Sequence, residues 1–245
     1  MKFVILGGTK GMGRALARRL ADRGDGLFLL GRNADELQRS ANDLELRGNV
    51  KQVETALCDL ADPDQFEPAL AHAWQSLGRV DGVVLSAATF APQAELANDA
   101  QRCAQLLQIN FSHSVLFCEA ARRRLLDQGG GTLCVFSSVA GDRGRAPVAI
   151  YGATKAGLSC YLEALDHAYR RKGLKVVCVK PGFVHTDMTQ GVSAPPFASY
   201  PEAIAPRIVR ALDRGIPVVY APWIWRWIMR IVRWLPRFIL RRLHF

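Results

Sequence analysis

Short, nearly unbroken apolar runs alternate with longer amphipathic stretches along most of this chain. FVIL at 3–6 and LFLL at 27–30 are runs of the kind found in strands buried on both faces of a parallel sheet. Between them, RALARRLADRG continues an apolar stripe through positions 12, 15, 16 and 20, the spacing of an amphipathic helix. The alternation runs to about residue 220, and no linker, internal repeat or low-complexity tract interrupts it. It predicts an α/β fold: a single Rossmann-type doubly wound parallel sheet with helices on both faces, spanning 1–221. An amphipathic helical tail is expected at 222–245.

In that tail, WIWRWIMRIVRWLPRFILRRLHF, the side chains of Arg226, Arg230, Arg233, Arg237 and Arg241 project into an arc of about 80°. His244 joins the arc and Arg242 does not. The remaining circumference is aromatic and aliphatic. No uncharged run reaches the roughly 18 residues of a spanning helix. A broad apolar face with a basic stripe suits a helix lying in a membrane interface. Packing over the substrate cleft or against a second subunit are the competing expectations. Pro236 is expected to divide the tail into two short helices.

Composition narrows the picture. The net charge of +10 owes six arginines to 222–245, a segment without an acid, so the rest carries only +4. With no stacking or base-reading motif beside that charge, a nucleic-acid partner is not expected. Six scattered cysteines lack metal-ligand spacing, so reduced thiols and no metal site are expected. The first apolar run is too short for a signal peptide, which points to a cytoplasmic protein, at the inner face of the cell membrane if the tail contacts lipid.

Two segments carry chemistry. GGTKGMG follows the first strand and opens a helix, so Gly7, Gly8, Thr9, Lys10, Gly11, Met12 and Gly13 form a candidate pyrophosphate cradle. Arg32 and Asn33 follow the second strand, where dinucleotide folds meet the adenosine ribose; Arg32, with Lys10, favours NADP(H) over NAD(H). Further on, Tyr151 and Lys155 share a helix face at i and i+4, thirteen residues after Ser138. A cation beside a phenol is expected to lower its pKa towards neutrality, making Tyr151 a proton donor or acceptor.

These motifs resemble the short-chain dehydrogenase/reductase family over residues 1 to about 215. The glycine turn is similar to TGxxxGxG, with Gly7 at the usual threonine. Ser138, Tyr151 and Lys155 match the family's YxxxK arrangement. The resemblance implies that Asp59, in CDL with Leu60, meets the adenine, and that Asn110 holds a water of a proton relay. It also implies that Pro181, Gly182, Val184 and Thr186, in PGFVHTDM, lie beside a nicotinamide. Ser86-Ala87-Ala88 stands where the family has NAG, so the bracing asparagine is missing, although small residues still let the cofactor lie close. The lid segment after Met188 is short, and the family's glycine-rich C-terminal ending is absent. LGGT, AGDRGR and YAPW…WRWIM…LPR…RRL further resemble a subgroup that includes the reductase of decaprenylphosphoryl-2-keto-ribose.

The resulting expectation is NADP(H)-dependent interconversion of a ketone and a secondary alcohol on a hydrophobic or lipid-linked substrate, by a homodimer or larger homo-oligomer. A 3-oxoacyl, polyketide or other hydrophobic ketone is the alternative substrate. An NADP(H) sensor or scaffold at a membrane, without turnover, is the alternative from another class.

Overall fold

The computed structural model describes residues 1–191 and 194–242. Val192 and Ser193 of the lid segment, and 243–245 with His244 of the basic arc, lie outside the described residues. Seven strands, β1 (Lys2–Leu6), β2 (Gly26–Gly31), β3 (Val53–Leu57), β4 (Gly82–Leu85), β5 (Gly131–Phe136), β6 (Leu174–Pro181) and β7 (Val218–Ala221), form one parallel sheet. Their order is β3-β2-β1-β4-β5-β6-β7. The connecting helices are α1 (Gly11–Asp22), α2 (Ala34–Arg47), α3 (Phe66–Leu77), α4 (Gln93–Leu96), α5 (Ala100–Leu107), α6 (Ser114–Asp127), α7 (Ala149–Tyr169) and α8 (Pro201–Arg214). A π-helical turn, Gln108–His113, joins α5 to α6.

The unbroken apolar strands are explained by the two cores they separate. Val4 and Leu6 of β1 point into one, with Phe28, Phe117, Leu133 and Leu162. Phe3 and Ile5 point into the other, with Leu16, Leu20, Leu37 and Ile208. Alternate residues of one strand thus serve opposite faces, and neither face can be polar. Strand order reverses between β1 and β4, so the connections leaving their paired carboxyl ends run in opposite directions and open a crevice there.

After β7 the tail turns back onto the domain as α9 (Trp225–Trp234) and α10 (Arg237–Leu240), divided at Pro236 as expected. The inner face of α9, Trp225, Met229 and Val232, is buried against Val139. The Trp225 indole lies directly on Gly182: a β-carbon there would fall 2.0 Å from its Nε1. Arg143 donates to the Leu235 carbonyl at 2.8 Å, tying the far end of α9 to the loop after β5.

A methyl group at 182 has no room beneath Trp225. The substitution Gly182→Ala is therefore expected to lift α9 and speed tryptic cleavage at Arg226 and Arg230 by roughly tenfold or more, since cleavage follows the population of the opened form. Unchanged protection, measured by timed proteolysis, would show that α9 is held by other contacts.

Candidate active site

The glycine turn is built by close approach. Gly7 has φ +93°, and a β-carbon there would strike the Ala87 nitrogen at 2.6 Å; one at Gly13 would lie 2.1 Å from the Gly7 carbonyl oxygen. The start of α1 therefore sits on the turn itself, and the turn sits on the end of β4. Ser86 supplies the brace that its position seemed to lack. Its hydroxyl lies 3.2 Å from the Leu6 carbonyl oxygen and 3.0 Å from that of Gly7, so it can donate to either.

A cleft of about 300 Å³ opens above this turn, at the crevice between β1 and β4. Gly7, Thr9, Lys10, Arg32, Asn33, Asp59, Leu60, Ala87 and Ala88, all named from the sequence as cofactor candidates, line it. Glu36, Thr89, Gln105 and Ile109 also line it and were not foreseen. Glu36 changes the electrostatics, because its Oε1 holds Lys10 Nζ at 2.6 Å. Lys10 is thus paired with an acid of α2, whereas Arg32 makes no ion pair among the described residues. The Asn33 side chain caps α2 by accepting from Glu36 N–H at 2.9 Å. Asp59 accepts from Ala61 N–H at 2.9 Å, and Leu60 offers its carbonyl to His113.

Other predicted residues support the cleft rather than face it. Gly8 packs on Leu29, and Met12 is packed against the core under α1. Thr186 leans on Gly11 of the turn, its methyl 3.3 Å from where a β-carbon would stand. Val184 is in the core and Pro181 is buried at the end of β6. The face of Gly182 is taken by Trp225.

Ser138, Tyr151 and Lys155 are brought together by two glycines. Ser138 opens a tight turn, Val139–Gly141, with its Oγ accepting from Ala140 N–H at 3.1 Å. A β-carbon at Gly141 would lie 2.6 Å from the Lys155 carbonyl carbon, and one at Gly152 would lie 2.8 Å from the Ala140 oxygen. Only glycines allow the turn and α7 to touch backbone to backbone. That contact sets the Ser138 hydroxyl near the Tyr151 phenol.

Here the expected pKa is corrected. Burial pushes the Tyr151 phenol up to about 12, and the Ser138 hydrogen bond only partly offsets it. Lys155 is 2% exposed, and its Nζ donates to the Phe136 carbonyl at 2.9 Å, with the Tyr151 ring centre 5.8 Å away. The same burial pulls Lys155 down to about 8. Desolvation therefore outweighs the attraction between neighbours for both groups. Both ends of the Asn110 amide are committed to Thr89, donating to its oxygen at 2.7 Å and accepting from its N–H at 2.8 Å. The side chain pins the segment after β4.

The model of the short chain dehydrogenase family matches residues 2–196. The chain is 35% identical over 240 residues to an uncharacterized oxidoreductase of Mycobacterium tuberculosis, covering 98% of this chain and 96% of that one. It is 32% identical over 186 residues to the human 3-oxoacyl-[acyl-carrier-protein] reductase, covering 76% of each. Its fold is similar to a short-chain dehydrogenase/reductase structure from Mycobacterium ulcerans at a TM-score of 0.81 and 20% identity, over 89% of this chain and 87% of that one. It also matches a short chain dehydrogenase of Shigella flexneri solved with NADP, at a TM-score of 0.80 and 24% identity, over 89% and 95% of the two chains. This chain belongs to the short-chain dehydrogenase/reductase family and is an oxidoreductase of that family.

The Gly141 contact offers a direct check on the site. Gly141→Ala is expected to push Ser138 away from Tyr151 and lower kcat about 100-fold, the scale of a displacement near 1 Å. Turnover at the wild-type rate in a folded variant would show that the contact does not position the pair.

Proposed function

We propose that this protein is an NADP(H)-dependent reductase that interconverts a ketone and a secondary alcohol on an apolar or lipid-linked substrate. The observation that carries the reading is the backbone contact at Gly141 and Gly152, which sets the Ser138 turn against the helix that carries Tyr151 and buried Lys155. The dinucleotide fits the glycine cradle, where side chains at Gly7 and Gly13 would fill the space between turn, helix and strand. Arg32, lining the cleft without an ion-pair partner among the described residues, would take the 2′-phosphate. The chemistry supplied by a bound nicotinamide is hydride exchange with the carbonyl carbon.

The chain's own groups handle the oxygen. A phenol that stays protonated at neutral pH is ready to donate, so Tyr151 gives its proton to the carbonyl oxygen as negative charge develops there. Ser138 orients that oxygen and stabilises the charge. Lys155 keeps N–H groups beyond the one bound to Phe136, and these would hold the cofactor ribose and favour the transient phenolate. Since the Asn110 side chain is occupied, a relay water would rest on its backbone carbonyl in the π-helical turn.

The substrate class is read from the tail. Val139, the neighbour of Ser138, packs against Trp225, Met229 and Val232, so α9 forms an apolar backing for the turn that carries the serine. This supports a hydrophobic substrate, including a polyprenyl-phosphate keto-sugar. The similarity to 3-oxoacyl reductases supports a second reading, a long 3-oxoacyl thioester. NADPH oxidation measured against keto-sugar and acyl-thioester panels separates the two. Preference for a short water-soluble ketone would overturn both.

Four outcomes test the chemistry. Tyr151→Phe should lose roughly 100-fold or more in kcat with NADPH binding retained. For ketone reduction, kcat/KM should be level below about pH 8 and fall above it as Lys155 loses its charge. Lys155→Arg should move that limb upward, since a guanidinium stays charged. Arg32→Asp should raise the KM for NADPH roughly tenfold or more while sparing NADH, as expected from losing a charged hydrogen bond.

A further inference from the structure

The arginines and the aromatic residues of α9 lie on different sides of the helix. Taking Trp225 as origin at 100° per residue, the buried Trp225, Met229 and Val232 centre within about 40° of zero. Arg226, Arg230 and Arg233 follow at about 80–140°, and Trp227, Ile231 and Trp234 at about 180–240°. The helix therefore has a second apolar face, opposite the one it spends on its own domain. Trp234 is 84% exposed, Ile231 67% and Trp227 49%, and Phe238 of α10 is exposed as well, at 65%. Scattered exposed hydrophobic residues are ordinary, but three at i, i+4 and i+7 on one helix face mark an interaction site.

The arginine side is unpaired as well. Arg226, Arg230 and Arg233 face Ile216 and Val218 across an open groove of about 800 Å³, and none has an acidic partner among the described residues. A second copy docked symmetrically on this face would bring arginines against arginines, because an isologous interface presents the same patch twice and 222–245 contains no acid. The occupant must offer an apolar interior bordered by negative charge.

We propose that α9 and α10 dock on an anionic lipid surface. Trp227, Ile231, Trp234 and Phe238 enter the interface, and Arg226, Arg230 and Arg233 sit at headgroup level along the groove. This rests on the outer surface of the tail and not on the substrate assigned above. Since the inner face of the same helix packs on Val139 and Gly182, docking also holds the catalytic end of the domain close to the lipid.

The test uses the full chain with vesicles of phosphatidylcholine alone and of phosphatidylcholine mixed with phosphatidylglycerol. NADPH turnover of a soluble ketone is followed in parallel as a check on folding. Sedimentation should show at least about tenfold stronger binding to the anionic vesicles, weakening as salt is added. The triple substitution R226Q/R230Q/R233Q should weaken it about 100-fold, near fivefold per arginine. W227S/W234S should abolish binding and the accompanying blue shift of tryptophan fluorescence, with soluble turnover kept. Three results would overturn the proposal: no binding to either vesicle, equal binding to both that ignores the arginine changes, or a dimer in light scattering that W227S/W234S dissolves without any lipid binding. Loss of turnover would bear on the enzymatic reading alone.

Discussion

The backbone contact between the turn after β5 and the helix α7 is the constraint on which the rest depends. Gly141 against the Lys155 peptide and Gly152 against Ala140 leave no space for side chains or water between the two segments. Ser137 locks the same junction, its hydroxyl 3.0 Å from the Lys155 carbonyl oxygen and 2.7 Å from Ser159 Oγ. From this follow the nearness of Ser138 to Tyr151 and the sealing of Lys155. Burial also accounts for the direction of the two displaced pKa values, since Lys155 is sealed and Tyr151 is half-buried, so a charge on either loses solvent.

The junction extends into the tail. Asp142, one residue beyond Gly141, holds Lys180 Nζ of β6 at 2.6 Å and accepts from the Tyr220 hydroxyl of β7 at 2.8 Å. Val139 and Arg143, in the same stretch, receive α9 through packing and through the Leu235 carbonyl. AGDRGR and the tryptophan- and arginine-rich ending, distant in sequence, are therefore two sides of one contact. A change at the tail reaches Ser138 through a few residues, and this is how a C-terminal extension can shape the space around a catalytic serine.

Features with a local period were legible from sequence alone. Strands covered on both faces must be apolar throughout, so FVIL and LFLL announced the sheet; the i, i+4 spacing of Tyr151 and Lys155 announced a shared helix face. Gly7, Thr9 and Lys10 of the glycine turn meet Arg32, Asn33, Ala87 and Ala88 in one cleft. What escaped was long-range packing. Nothing local marks Gly182 as the seat of Trp225, Gly141 as the partner of Lys155, or Glu36 as the acid that engages Lys10. The phenol's pKa was misjudged for the same reason: proximity of a cation can be read from spacing, whereas burial depends on the whole fold. In the tail, the arginine stripe was visible, but the division of its apolar circumference into an inward and an outward face required the structure.

The central claim is that the Tyr151 proton stays in place at neutral pH because burial disfavours the phenolate, and not that Lys155 ionises the phenol. Titration of the protein labelled with carbon-13 at the tyrosine ζ position, with Tyr151→Phe assigning the resonance, measures this directly. A Tyr151 signal that keeps the chemical shift of a neutral phenol through pH 10 and moves only near pH 12 is the predicted result. A signal that titrates near neutrality in the cofactor-free protein would contradict it.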